Sequence, residues 1–338
     1  MSAYDVHIGK LISGRRELEG KGVYLLCTPE KTITEMESPG SVQGILVSSQ
    51  DWEDALYEFC QSALTQYIAA GHNKDVYTFS IQVDTYHGSL LVYINNAEGL
   101  NQSIEDALPY ERSRASASQT GQDDSQLRER LHYELQYAEA DYPFMYDEYP
   151  PSLEHWLNML ACIEIGTPQH LDVEQNYIFE KKITDSQLFL LAINVIHRLK
   201  EDLRQLDQTD RFIAYVSAAD GVGGDYLTTS QLIRKCISEE KLYRAMPEVQ
   251  EMDLAFEAAA LEVQKKPLQE QVLHWTTAIE QGEFGKGSPQ QYEKTDYASY
   301  EQLLSLGEPA IPYLREQLQT ELEEDTKLII EIVLQDLS

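Results

Sequence analysis

The chain has 338 residues, 42% apolar and 25% charged, enough for one large domain or two ordinary ones with a buried core. Its 26 basic and 57 acidic side chains leave a net charge of −31, a field that repels phosphate backbones and anionic lipid and argues against nucleic acid or membrane partners. No run of about 18 apolar residues could span a membrane and no basic start followed by an apolar stretch opens the chain, so the expected location is cytoplasmic.

In chain order, residues 1–50 read as short extended pieces broken by glycine and proline. Val23 to Cys27 and Gly44 to Ser48 are the strands, with Pro39-Gly40 as a turn. Asp51 then caps a helix to about Ala70, stopped by Gly71, with Trp52, Leu56, Phe59, Ala63 and Tyr67 recurring at helical spacing. Val76, Phe79, Ile81 and Val83 interleave with polar residues, and Leu90 to Ile94 follows a turn at His87-Gly88. Together they predict a β-hairpin with one buried face. Residues 101–126 turn small and polar and read as an exposed loop or flexible insertion.

A helix is expected from Ser125 to Ala140, then an aromatic, proline-bounded segment from Tyr142 to Pro151. Another helix begins near Ser152 and carries Leu153, Trp156, Leu157 and Leu160. A long helix spans Asp185 to Leu206 with Asp185 as its cap. Arg211 to Ser217 is a strand that leads into the loop Ala219 to Asp225. Beyond Thr228 the pattern is helical, broken at Pro247, Pro267 and 282–289. Near the end, Leu303 to Leu314 places Gly307 after one helix and Pro309 and Pro312 in the first turn of the next, like one helix-turn-helix element of a HEAT-type repeat. With a single copy legible, a terminal helical hairpin docked through Leu303, Leu306, Ile311, Leu314, Leu318 and Ile329 is the expectation.

Motifs that carry chemistry are scarce. Cys27, Cys60, Cys162 and Cys236 stand singly among apolar neighbours, with no CxxC pair, and read as reduced thiols acting as small hydrophobes. The eight histidines form no HxH or HExxH, and the adjacent Glu154-His155 would point about 100° apart on a helix, so no metal is expected. Gly221-Val222-Gly223-Gly224 follows a strand, yet lacks GxGxxG spacing and a following Lys-Ser or Lys-Thr, and Asp220 and Asp225 flank it. It reads as a turn, and no cofactor is expected. No GxSxG or SxxK occurs. Asp84 and Asp220 end strands and could line a carboxylate cleft, the alternative enzymatic or ligand-binding reading.

The densest signal lies in residues 131–180. These fifty residues hold no Lys or Arg, ten acids and six tyrosines: Tyr133, Tyr137, Tyr142, Tyr146, Tyr149 and Tyr177. Tyrosine supplies contact area at low entropic cost, and carboxylates supply pairing for Arg and Lys. That combination suits a surface that grips a basic protein, with Tyr142, Tyr146, Asp147, Glu148, Tyr149, Glu139, Asp141 and Glu154 as contacts. A solvated acidic face with some tyrosines in the core is the competing account.

The runs Val76 to Ile81, Leu91 to Asn96, Ser152-Leu153-Glu154-His155-Trp156 and Phe212 to Ser217, followed by Asp225-Tyr226-Leu227, bear a likeness that covers about residues 51–243. Over that span the chain resembles an uncharacterised family of bacterial proteins of unknown function, similar to families that include immunity partners of bacterial toxins. The resemblance implies no catalytic residues. It agrees with an immunity- or antitoxin-like protein that masks a cationic toxin or another basic protein.

The expected fold is therefore α+β. A small, mostly antiparallel sheet is covered by many helices in 1–237, with the flexible insertion near 105–125, and 238–338 is an all-helical C-terminal portion.

Overall fold

The computed structural model describes residues 2–15, 23–84, 89–118, 123–181, 187–218, 228–281 and 296–338. The fold is α+β, and the chain divides into two compact units, one formed by Gly22–Ser217 and one by Met1–Lys21 with Ala218–Ser338. The division falls at 217/218, where the sequence reading drew 237, and it sets the first helix with the C-terminal unit.

In the central unit, α2 (Ser49–Ala69) starts where Ser48 accepts a hydrogen bond from the Asp51 N–H and the Asp51 carboxylate accepts one from the Ser48 N–H. Ser48 is thus the cap, and Asp51 the reciprocal member of the capping box. Gly71, at φ +84°, turns the chain just beyond the helix, a conformation open to glycine without strain. Among the described residues the central unit carries two four-stranded sheets. One has the order β2 (Ile33–Met36), β1 (Tyr24–Cys27), β7 (Tyr177–Glu180), β3 (Ile45–Val47), with β3 parallel to β7 and the other pairs antiparallel. The second has the order β6 (Met145–Tyr146), β5 (Ser89–Asn96), β4 (Val76–Asp84), β8 (Gln208–Ala218).

The β4–β5 hairpin is antiparallel, from Asp84 opposite Ser89 to Phe79 opposite Ile94. Its expected single buried face is corrected: both faces are covered, because every residue of Val76–Ile81 is buried. Phe79, Ile81 and Val83 face one way with Leu90, Val92 and Ile94, on the side where α2 and α6 (Leu188–Arg198) pack. Thr78, Ser80 and Gln82 face the other way with Tyr93 and Asn95. A bulge at Val76–Thr78 marks the end of the regular pairing.

The segment expected as a loop at 101–126 is helical through most of its described length. The helix α3 (Ala97–Ser118) and α4 (Asp124–Leu135) form a hairpin. Leu100, Ile104 and Leu108, spaced four apart, meet Leu127, Leu131 and Tyr77 in a buried cluster. Arg112–Asp124, Arg128–Glu105 and Arg130–Glu111 pairs lace the outside. A helix capped by Asp123 also replaces the expected start at Ser125, and it ends at Leu135. The helix α5 (Pro151–Glu164) packs Trp156 against Trp52 of α2, the rings tilted by 41° with centroids 5.6 Å apart. The expected Asp185–Leu206 helix is shorter, Leu188–Arg198 followed by a 3-10 turn at Asp202–Gln205, and Asp185 lies outside the described residues.

The second unit is helical among the described residues. It contains α1 (Ser2–Ile12), a π-turn at Thr228–Ile233 running into Arg234–Cys236, α7 (Glu239–Ala245), α8 (Pro247–Gln264), α9 (Leu268–Glu280), α10 (Asp296–Ser305), α11 (Ile311–Gln317) and α12 (Glu324–Asp336). The start of the chain, expected to be extended, is the helix α1, whose Val6 joins a core of Trp275, Tyr300, Leu303, Leu314, Ile329, Ile330 and Val333. The terminal hairpin is present, with Gly307 at φ +70° between α10 and the 3-10 turn Glu308–Ala310. Of its expected docking residues, Leu303, Leu314 and Ile329 are fully buried, while Leu306 and Leu318 pack at the core's edge.

Candidate partner-binding face

Between α4 and α5 the chain from Gln136 to Pro150 crosses the second sheet as a strap, pinned by alternate inward side chains. The strap begins at a 3-10 turn, Glu139–Asp141, which sends Glu139 inward and Asp141 outward. Glu139 is 8% exposed. Its Oε2 accepts hydrogen bonds from the Ser217 hydroxyl on β8 and from Gln82 Nε2 on β4, the latter at 3.4 Å. The hydroxyls of Ser80 and Tyr215 lie beside the same carboxyl. Its Oε1, with Ser80 Oγ and Thr78 Oγ1, is buried without a hydrogen-bond partner of ordinary geometry.

Burial raises the Glu139 carboxyl above the ordinary glutamate range, against the lowering pull of these donors. Tyr142 is buried next along the strap and donates to the Gln136 carbonyl at 2.8 Å. Its ring meets Tyr77 and Tyr93 edge-on. Burial, then neighbouring Tyr215, Tyr77 and Glu139, holds the Tyr142 phenol well above its usual range, and burial, then Glu139, does the same for Tyr215, so both stay neutral.

The next anchor is Phe144, 4.3 Å from the His72 ring and edge-on to Tyr67. Met145 and Tyr146 then pair with Tyr93 and Val92 as the edge strand β6. Tyr146 is half-buried, and that burial lifts its phenol to about 12. Finally Tyr149 packs on Phe59 of α2 at 5.2 Å and accepts a hydrogen bond from the Leu90 N–H at 3.4 Å.

Of the eight residues expected to contact a partner, Asp141, Asp147, Glu148 and Glu154 are exposed, and Tyr146 and Tyr149 are half-buried. Glu139 and Tyr142 point into the protein, and this is a correction to their assignment: they anchor the strap and do not meet solvent. Asp147 and Glu154 come together around Tyr149, since both raise its phenol after burial has done so. Among the described residues no basic side chain pairs with Asp141, Asp147, Glu148 or Glu154, whereas Glu134, upstream on α4, lies 3.6 Å from Arg130. Met145, on the same strap, is 46% exposed.

Sequence reasoning missed the polar cluster under the strap. Its only linear trace is the Thr78-Ser80-Gln82 alternation, which any solvent-facing strand would also show. Asp84 is half-buried where β4 ends, and Asp220 lies outside the described residues, as does the Gly221–Gly224 loop. All four cysteines are free. Burial, with Cys162 nearby, pushes the Cys27 thiol up to about 12, so it is no ready nucleophile. Among the described residues no group of three His, Cys, Asp or Glu side chains is placed to hold a metal ion, and no helix is long and apolar enough to cross a membrane. No known protein family, curated protein or solved structure matches the chain, so the likeness to an uncharacterised bacterial family gains no support from these comparisons.

Proposed function

We propose that the strap and the start of α5 form a docking face for a basic protein, with Asp141, Asp147, Glu148 and Glu154 as the charged contacts and Met145 and Tyr146 as the apolar ones. The carrying observation is the division of labour along one short segment: Glu139, Tyr142, Phe144 and Tyr149 fix it to the sheet and to α2, and among the described residues no basic side chain pairs with its outward carboxylates. Fixing a charged segment in advance lowers the ordering cost of binding. A field of −31 speeds encounter with a cationic partner. In its most concrete form the protein is immunity- or antitoxin-like and masks a cationic toxin sterically and electrostatically.

The test is capture from an extract of the native host by the full chain. Two variants with equal charge change are compared with it: Asp141, Asp147, Glu148 and Glu154 changed to Asn or Gln, and the exposed Glu308, Glu316, Glu321 and Glu331 changed to Gln. A basic protein retained by the native chain and the second variant, and lost from the first, supports the reading. Equal retention by both variants refutes it.

A further inference from the structure

The helix α8 buries one face and leaves an apolar seam on the other. Val249, Asp253, Ala260 and Val263 are buried, and Phe256 packs on Trp275 at 5.8 Å. Half a turn around the helix lie Glu251, Leu254, Ala258, Leu261 and Lys265, the last just past the helix end, at successive spacings of three, four, three and four. All five are exposed, Leu254 and Leu261 each at 58%. A 3-4-3-4 stripe is the seam that lets two helices interlock side by side. An isolated exposed leucine is ordinary on a protein surface, but two of them one heptad apart with alanine between form a surface shaped for another helix.

The ends of the seam identify that helix. Glu251 stands at one end and Lys265 at the other. Glu251 has no basic partner among the described residues, and Lys265 reaches only the neighbouring Glu262. If a second copy lies antiparallel across a two-fold axis near Ala258, Leu254 of each chain meets Leu261 of the other. The same operation sets each Glu251 against a Lys265, twice over, and the small Ala258 lets the helices close at the axis. A parallel pairing would instead stack glutamate on glutamate and lysine on lysine. A surface that complements itself under a two-fold rotation is what an isologous dimer requires.

We propose that α8 is a self-association surface, through which two copies of this chain pair antiparallel along Leu254, Ala258 and Leu261 with reciprocal Glu251–Lys265 contacts. From Glu251 to Lys265 the seam runs only about 21 Å. It is therefore a small interface, and the dimer is a weak one.

Sedimentation velocity of the full chain from about 5 to about 500 µM, in about 0.15 M salt to screen the net charge, tests this. The native chain should shift from monomer toward dimer across that range. Leu254→Glu with Leu261→Glu should remain monomeric at every concentration, with an unchanged circular-dichroism spectrum because both side chains are exposed. Lys265→Glu alone should weaken association about five-fold or more, and adding Glu251→Lys should restore it to within about two-fold of the native chain. A native chain that stays monomeric throughout, a dimer indifferent to Leu254 and Leu261, or a charge swap that fails to restore association would overturn the proposal.

Discussion

Replacing Glu139 by Gln and by Ala separates the two things this side chain does under the strap. Alanine removes the acceptor of the Ser217 hydroxyl, which is only 3% exposed, and leaves that hydroxyl buried and unpaired at a cost of about 1–3 kcal/mol. The lost packing of the carboxyl and its methylene adds about 1 kcal/mol, for a total of about 2–4 kcal/mol. Glutamine keeps an acceptor for Ser217 and Gln82 and leaves no charge to bury, so it should cost less than alanine.

The pH dependence gives the sharper reading. Burial raises the folded carboxyl, so the folded chain keeps this proton to higher pH than the unfolded chain does. The stabilisation linked to that proton is complete below the unfolded value near pH 4.3 and is lost as pH rises through the folded value. It amounts to about 1.4 kcal/mol for each tenfold difference in proton affinity between the folded and unfolded chains. Other carboxylates titrate alike in both proteins and cancel from the comparison. Urea unfolding at a series of pH values from about 4 to about 8 should therefore show the native chain losing stability relative to Glu139→Gln as pH rises. A difference that does not change with pH, together with an unharmed Glu139→Ala, would refute the picture of a buried carboxyl, its proton affinity raised by burial, holding the strap.

Gly99→Ala should destabilise by about 1–3 kcal/mol, because the added Cβ collides with Asn95 Oδ1 and comes within 2.9 Å of Phe144, a strap anchor; an unchanged urea midpoint would show that the strap yields freely there. Ending the chain before Asp296 removes Tyr300, Leu303, Leu314, Ile329, Ile330 and Val333 from the core around Trp275, and each such side chain contributes about 1.5–3 kcal/mol of burial. The shortened chain should show a clearly lower melting temperature in calorimetry. Tyr149→Ala acts on the strap from its other end: losing the Phe59 contact should cost about 1–2 kcal/mol of stability, and amide exchange should quicken through 145–150 while α8 stays unchanged.

The elements legible in the sequence were those whose periodicity is local. The Trp52–Tyr67 spacing marks α2, and the alternation from Val76 to Val83, continued in Leu90 to Ile94, marks the hairpin. The helix α3 was hidden because its outer turns, rich in Ser, Arg and Ala, carry no apolar stripe of their own, and its buried contact with α4 rests on Leu100, Ile104 and Leu108. Charge pairs with α4, formed across a dozen or more residues, line the rest of that hairpin. The helix α1 was missed for a similar reason, since its burial partners lie in the last third of the chain. At the candidate face, composition alone located the acid- and tyrosine-rich stretch. Which of its residues turn inward was not legible, because Glu139 is held by Ser217, 78 residues away, and by Gln82, 57 residues away. Those contacts exist only once β4 and β8 lie side by side.

The central claim is that the outward carboxylates of the strap steer a basic protein onto this surface. The direct measurement is the association rate of the captured basic protein with the native chain and with Asp147→Lys/Glu148→Lys, at about 0.05 M and about 0.3 M salt. The account predicts that the native rate falls steeply with salt, that the variant associates about ten-fold more slowly at low salt, and that its rate depends less on salt. Equal rates for the two proteins at both ionic strengths, with the variant folded, would contradict it.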